Sequence, residues 1–165
     1  MPIVLPAGTA YGAAGEYQIK TAMIYNMAKF TDWPADSMQS DQFLICILGK
    51  GRLSKAVEAL QDKPVRGRTV TVRSIMQASE AANCQILVLS ESERKQITAV
   101  LGKTQQHRLM TISDDDGFAK TGGVVGFFVD NGKVRLEINP TAALRHKLRI
   151  DAQVLKLSRI VQDQP

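Results

Sequence analysis

The spacing of hydrophobic residues alternates along this chain between a helical and a strand pattern. Ile19, Met23, Met27 and Phe30 recur every three or four positions and predict a first helix that begins at Glu16. Apolar runs then predict four strands, at residues 43–48, 68–73, 84–89 and 108–113, with helical segments between them. This order predicts an α/β fold with a mostly parallel sheet and helices on both faces.

Residues 124–138 predict a C-terminal antiparallel hairpin. The first strand is almost entirely apolar, and Asp130, Asn131 and Gly132 supply the positive φ angles of a tight turn. In the second strand, residues 133–138, apolar and charged positions alternate, so we expect one face in water and a position at the sheet edge. The residues expected to face water are Lys133, Arg135 and Glu137.

Two features on either side of the hairpin complete the predicted fold. Only about ten residues, 114–123, connect the fourth strand to the fifth, which is barely enough for a parallel crossover and leaves the direction of the fifth strand open. After the hairpin, Asn139 and Pro140 are typical of a helix start. Residues 141–161 predict one helical region with an apolar stripe of Ile150, Val154, Leu157 and Val161.

The composition is that of one globular domain: 165 residues, 44% hydrophobic and 22% charged. The net charge of +5 permits anionic partners, but the 21 basic residues are scattered among 16 acidic ones, so no nucleic-acid binding is expected. No apolar run approaches the ~18 residues of a membrane helix, so we expect the chain as given to be soluble. We expect residues 1–15 to be a disordered remnant, the end of a signal peptide or a cloning junction, before a single domain of residues 16–165.

Three loops at the ends of predicted strands carry candidate chemistry, because open sheets bind ligands beyond the carboxyl ends of their strands. The GKG at residues 49–51 is half of a dinucleotide loop, but Ser54 stands where the third glycine belongs. The aspartates at 114–116 have no further ligand to complete a metal site, and no GxSxG surrounds Ser90. Tight turns and helix caps explain these residues more simply, and no nucleotide is expected to bind. The alternative function left open is a small-molecule binder or enzyme that uses the loops at Gly49, Ser90 and Asp114.

The histidines and cysteines give no metal site either. His107 and His146 lie in polar surroundings without a second ligand at fixed spacing. Cys46 and Cys84 fall in the first and third predicted strands, which are neighbours in the commonest doubly wound order. From spacing alone they are either a disulfide or two buried thiols.

Six motifs occur in order along the chain: IYNMAKFTDWP, FLICILG, KPVRGRTVTVR, CQILVLS, FAKTGGVVGFF and the EIN before the last helix. Together they resemble the YfiR family, also called HmsC-like, from about Glu16 to Val161. Each motif alone is mostly structural, and none is a catalytic signature. The resemblance therefore implies a regulator and not an enzyme.

The resemblance implies a periplasmic protein that binds and represses an inner-membrane diguanylate cyclase, YfiN, through its periplasmic part. Repression lowers cyclic di-GMP and biofilm formation, and an outer-membrane lipoprotein, YfiB, sequesters the regulator. The resemblance also implies a homodimer without a cofactor. In the periplasm we expect Cys46 and Cys84 to form a disulfide. A member of the family carries two cysteine pairs, and Cys46 and Cys84 resemble one of them. Residues 118–128, where the other pair is expected, contain no cysteine here, so control through that pair is not expected.

We expect the partner surface near the end of the predicted edge strand and the start of the final helix. The unpaired backbone groups of an edge strand and its charged rim favour this place. Leu144 is the expected apolar anchor; the alternative is that it packs inward with Leu148 and that the charges are merely solvated. The predicted contact residues are Glu137, Asn139, Leu144 and Arg145.

Overall fold

The computed structural model describes residues 13–164. Its helices are α1 (Ala13–Lys29), α2 (Arg52–Val57), α3 (Ile97–Thr104), α4 (Pro140–Arg145) and α5 (Ala152–Lys156). Its strands are β1 (Thr31–Asp32), β2 (Gln42–Leu48), β3 (Pro64–Val65), β4 (Arg68–Ile75), β5 (Ile86–Leu89), β6 (Met110–Ser113), β7 (Val125–Asp130), β8 (Lys133–Ile138), β9 (Arg149–Ile150) and β10 (Arg159–Ile160). Helix α1 begins three residues before the predicted Glu16, and residues 1–12 of the predicted disordered segment lie outside the described residues.

The main sheet has the strand order β10-β8-β7-β6-β5-β2-β4-β3. From β4 to β7 all neighbouring strands are parallel, in the doubly wound order 2-1-3-4-5 when the five predicted strands are counted along the chain. At the far side β3 pairs antiparallel with β4. The predicted α/β class with a mostly parallel sheet is therefore confirmed.

Apolar side chains on the two faces of the sheet form two cores, which confirms helices on both faces. Between the sheet and helices α1 and α2, the fully buried side chains include Ile24, Met27, Phe43, Ile45, Leu53, Ile86 and Met110. Between the sheet and α3 they include Leu87, Leu89, Leu109 and Phe118. Strands β2 and β5 contribute alternate residues to each core, as their unbroken apolar sequences predict.

The hairpin β7–β8 forms as predicted, with Asn131 at φ 51° and Gly132 at φ 75°. The short connection before it does not reverse the chain: β7 pairs parallel with β6 through Ile112 and Val125. A single 3₁₀ turn, Phe118–Thr121, is enough for this crossover. Strand β8 is not a free edge along its whole length, because β10 pairs parallel with its last two residues.

The prediction of one helical region over residues 141–161 is wrong. Helix α4 ends at Arg145 because Lys147 adopts φ 64°, and the Leu148 N–H turns back to the Ala143 carbonyl at 2.9 Å while the Lys147 N–H donates to the Leu144 carbonyl at 2.9 Å. This is the helix-ending arrangement that places an apolar residue back on the core, and Leu148 is buried. The chain then forms β9, which pairs antiparallel with β1, then α5 and β10.

Candidate partner-binding surface

The last described residues, 159–164, cross the end of β8 and are called here the C-terminal strap. Its first two residues form β10 and pair with β8. Beyond β10 the backbone of the strap is held at two points: Val161 N–H donates to the Ile138 carbonyl at 2.9 Å and Gln164 N–H to the Lys120 carbonyl at 2.7 Å. Its side chains reach three of the four predicted partner residues. The strap therefore determines which groups that surface presents.

Glu137 is buried, not water-facing, which corrects the sequence prediction. Arg159 donates its Nε–H to Glu137 Oε2 at 2.8 Å, and its Nη2 contacts the same oxygen. The Arg159 guanidinium also lies 3.6 Å from the centre of the Phe128 ring, so it covers the carboxylate from the edge of the sheet. With this cover Glu137 is only 2% exposed. The alternation of apolar and charged residues in β8 did not predict this burial, because the covering strand β10 lies about 20 residues further along the chain.

Asn139 is also buried, and its side chain forms hydrogen bonds within the protein. Its Oδ1 accepts from Ala142 N–H at 3.0 Å and caps α4, as the sequence predicts. Its Nδ2 donates to the Ala119 carbonyl at 2.9 Å and to Asp163 Oδ1 at 2.5 Å. The hydrogen-bonding groups of the Asn139 side chain are thus engaged within the protein.

Arg145 is exposed and shares Asp163 with Asn139. Its Nη1 lies 3.0 Å from Asp163 Oδ2. Burial acts to raise the pKa of Asp163, but the hydrogen bonds from Arg145 and Asn139 and the charge of Arg145 outweigh it and hold that pKa below its usual value. Arg145 also lines a basic depression of ≈ 260 Å³ together with Gln105, Gln106, Arg108 and Lys147.

Leu144 points into solvent and is 69% exposed. The inward alternative, in which Leu144 packs with Leu148, is therefore wrong. The helix end explains the difference, because the turn at Lys147 carries Leu148 to the core while Leu144 stays on the outer side of α4. Leu144 is the most accessible of the four predicted partner residues, and Arg145, which lines the basic depression, follows it in the chain.

No local sequence pattern signals the strap residues that organise this surface. Arg159 stands in the stretch whose apolar spacing predicts a helix, Asp163 lies two residues beyond it, and neither forms a motif with Glu137 or Asn139. Their contacts join positions 22 and 24 residues apart. Only the structure brings them together.

The loops of the alternative function pack against one another. Lys50 N–H donates to Ser92 Oγ at 2.7 Å, and Ser92 N–H donates to the Lys50 carbonyl at 3.2 Å. A β-carbon at Gly49, whose φ is +90°, would lie 2.6 Å from that Ser92 oxygen. These contacts join the loops after β2 and β5, at the place where a sheet of this order usually binds its ligand.

Asp114 forms a buried ion pair with Lys20 that the sequence analysis did not predict. Lys20 Nζ on α1 lies 3.5 Å from Asp114 Oδ2 and 3.6 Å from Glu16, and the rings of Tyr17 and Phe127 flank the ammonium. Burial raises the pKa of Asp114 above its usual value, although the charge and hydrogen bond of Lys20 act to lower it. Asp114 therefore fastens α1 to the sheet.

A depression of ≈ 340 Å³ lies beside the GKG loop. Its lining includes Lys50, Ser54 and Ser74 but neither Ser90 nor Asp114. The three loops of the alternative function do not share this depression. Among residues 13–164, no group of three His, Cys, Asp or Glu side chains could hold a metal ion.

Cys46 and Cys84 form a disulfide, which confirms the pairing expected for the periplasm. Cys46 lies on β2 and Cys84 just before β5, with the two Cα atoms 6.0 Å apart. Both residues are buried in the core below α3. The bond ties two central strands together and lies away from the strap.

Comparison with known proteins identifies the family. A sequence model described as YfiR/HmsC-like matches residues 17–159, which is most of the chain. The chain belongs to the YfiR/HmsC-like family. This family is periplasmic and regulatory rather than catalytic. Within the described part of the chain, no helix is long and apolar enough to cross a membrane.

Two solved structures share the fold at low sequence identity. One is an ABC domain in complex with L-Trp from Streptococcus pneumonia, with a TM-score of 0.57, 11% identity and coverage of 88% of this chain and 60% of that one. The other is a conserved domain protein from Vibrio cholerae O1 biovar El Tor, with a TM-score of 0.59, 10% identity and coverage of 87% and 59%. The chain thus spans about 60% of the length of these structures. No curated protein matches the chain.

Proposed function

We propose that this protein binds the periplasmic part of a YfiN-like membrane diguanylate cyclase and represses it, which lowers cyclic di-GMP and biofilm formation. The observation that carries the proposal is family membership over residues 17–159. As further parts of the same proposal, the protein is a homodimer and a YfiB-like outer-membrane lipoprotein sequesters it.

The surface around α4 is the proposed contact with the cyclase. Leu144 offers an exposed apolar side chain of the kind that anchors interfaces. Arg108, Arg145 and Lys147 contribute positive charge to a depression at the end of the same helix. Acidic groups on the cyclase would complement this charge and orient the two proteins. Glu137 and Asn139 are buried in the present state and support the surface from below.

The test compares two exposed apolar residues that lie at opposite ends of the sheet. Leu144→Asp places a charge at the proposed anchor, whereas Met76→Asp places one after β4, at a residue that is 88% exposed. Because truncation of an interface anchor typically costs about 2 kcal/mol or more, we expect Leu144→Asp to weaken binding to the purified periplasmic domain of the cyclase by roughly 30-fold. Cyclic di-GMP in cells that depend on this regulator should rise in parallel.

Met76→Asp should retain wild-type binding and repression. Melting temperatures of both variants show whether the fold is intact. Equal binding by wild type and a folded Leu144→Asp variant would place the contact elsewhere, and failure of the wild-type protein to bind or repress the cyclase would overturn the proposed function.

A further inference from the structure

The C-terminal strap occupies the surface that is predicted to receive a partner. Arg159 covers Glu137, and Asp163 holds both Asn139 and Arg145. The strap contributes to no core cluster, and Ile160 is 50% exposed. It therefore buries the polar groups of β8 and α4 while burying little of its own surface.

We propose that the strap is an internal pseudo-ligand and that the end of β8 takes an extended partner segment in its place. The identity of the partner rests on the proposed function, but the recognition chemistry is given by the strap itself. The segment pairs parallel with β8, places a basic residue on Glu137 and an apolar residue after it, and places an acidic residue on Asn139 and Arg145. This is recognition by strand addition, in which backbone bonds give affinity and side-chain sites give specificity.

The strap is built to open. Its strand has two residues, and beyond that strand the backbone is anchored by one hydrogen bond from Val161 and one from Gln164. Segments with few buried apolar contacts and exposed hydrogen bonds open at low free-energy cost. By contrast β8 stays in place, because Val134 and Ile138 are buried in the core and β7 pairs with its whole length.

When the strap is open, binding of a partner segment at the end of β8 is favoured over leaving that site empty. Without Arg159 and Asp163, the buried Glu137 carboxylate loses its counter-charge and the Asn139 amide loses a hydrogen bond, and such groups gain from a new partner. A tethered segment competes at an effective concentration that reaches the millimolar range. Partner binding is therefore reduced by the fraction of molecules with a closed strap, and loosening the strap should increase it.

The test uses the full chain and a labelled peptide with the sequence of residues 158–164, SRIVQDQ. Wild-type protein is compared with the double variant Arg159→Ala, Asp163→Ala, which removes the side-chain contacts of the strap but keeps the acceptor. We expect the peptide to bind the double variant at least roughly tenfold more tightly than wild type, by fluorescence anisotropy. A peptide of the same composition with Arg and Asp exchanged, SDIVQRQ, should bind neither protein.

Hydrogen exchange at the Val161 amide, which bonds Ile138, reports strap opening and should be faster in the double variant. Unchanged exchange, or faster exchange without saturable peptide binding, would overturn the inference. Because the assay contains no cyclase, loss of the proposed function alone would leave peptide binding unchanged.

Discussion

Arg159 donates its Nε–H to Glu137 at 2.8 Å, so a carboxylate on β8 is withdrawn from water by a residue of a two-residue strand. Arg159→Gln leaves that carboxylate without its counter-charge. We expect the free energy of unfolding to fall by about 1–2 kcal/mol at neutral pH, measured by urea denaturation. Adding Glu137→Gln to this variant should recover part of the loss. Equal stability of wild type and Arg159→Gln would contradict the prediction.

The buried pair of Lys20 and Asp114 should behave differently when one or both partners are removed. Lys20→Met alone leaves Asp114 without its nearest positive charge and should cost about 3 kcal/mol at pH 7. Lys20→Met with Asp114→Leu should restore stability to within about 1 kcal/mol of wild type, because apolar side chains of similar volume replace such pairs without loss.

The cost of Lys20→Met should also depend on pH. The pKa of Asp114 is already raised by burial, so removal of Lys20 makes the neutral acid the favoured form at still higher pH. The penalty should therefore shrink as the pH falls from 7 toward 5. A penalty that is the same at both pH values, or a double variant no more stable than the single one, would show that the pair is not coupled as the structure indicates.

Reduction of the Cys46–Cys84 disulfide should lower stability without loss of the strand order. The bond joins residues separated by 38 positions, and the loop-entropy relation gives about 4 kcal/mol for a loop of that length. Urea denaturation with and without a reductant measures the difference. The variant with both cysteines replaced by serine should match the reduced protein, and its denaturation should not respond to reductant.

His146 should make the protein less stable in mild acid. Burial lowers the pKa of His146 below its usual 6.5, although its ring Nδ1 lies 2.8 Å from the His107 carbonyl, a contact that acts to raise it. The unfolded chain therefore takes up the proton first. The contribution of His146 to the free energy of unfolding is fully present above about pH 6.5. Below that pH it falls by up to about 1.4 kcal/mol per pH unit, until His146 is protonated in the folded protein as well.

His146→Gln is the matched control because glutamine can donate to the His107 carbonyl but does not titrate. Its stability should lack the fall that His146 causes between pH 7 and 5, while any contribution of Asp114, whose pKa is raised, stays the same in both proteins. Asp163 also favours its charged form in the folded protein, so its contribution is lost only at lower pH, below its usual value of 3.8. The same pH dependence in wild type and His146→Gln from pH 7 to 5 would exclude a role for His146.

Local sequence patterns predicted the parts of the fold that local physics decides. Asn131 and Gly132 force the hairpin, Asn139 caps α4, and the apolar residues of β2 and β5 can be satisfied only in the middle of a sheet. The strands that were missed have two residues each, too few for any periodicity. Lys147 adopts its left-handed conformation because the core takes up Leu148, and that cause lies outside the helix pattern.

The candidate surface was predicted only in part for the same reason. Leu144 and Arg145 are exposed as a partner surface requires, but the exposure of Glu137 depends on a strap whose sequence contains no strand signal. Burial of a charged residue on an alternating strand is a long-range property. For Glu137 it depends on the position of the strap, which hydrophobic spacing does not encode.

The two rims of the sheet have unequal capacity to recruit another chain. At one rim Pro64 occupies the outermost strand, and a proline has no N–H to offer an incoming backbone, so that strand is a poor template for further pairing. The other rim ends in Arg159 and Ile160, which contain no proline. Addition of a strand from another chain is therefore favoured at the rim formed by Arg159 and Ile160 over the rim that contains Pro64.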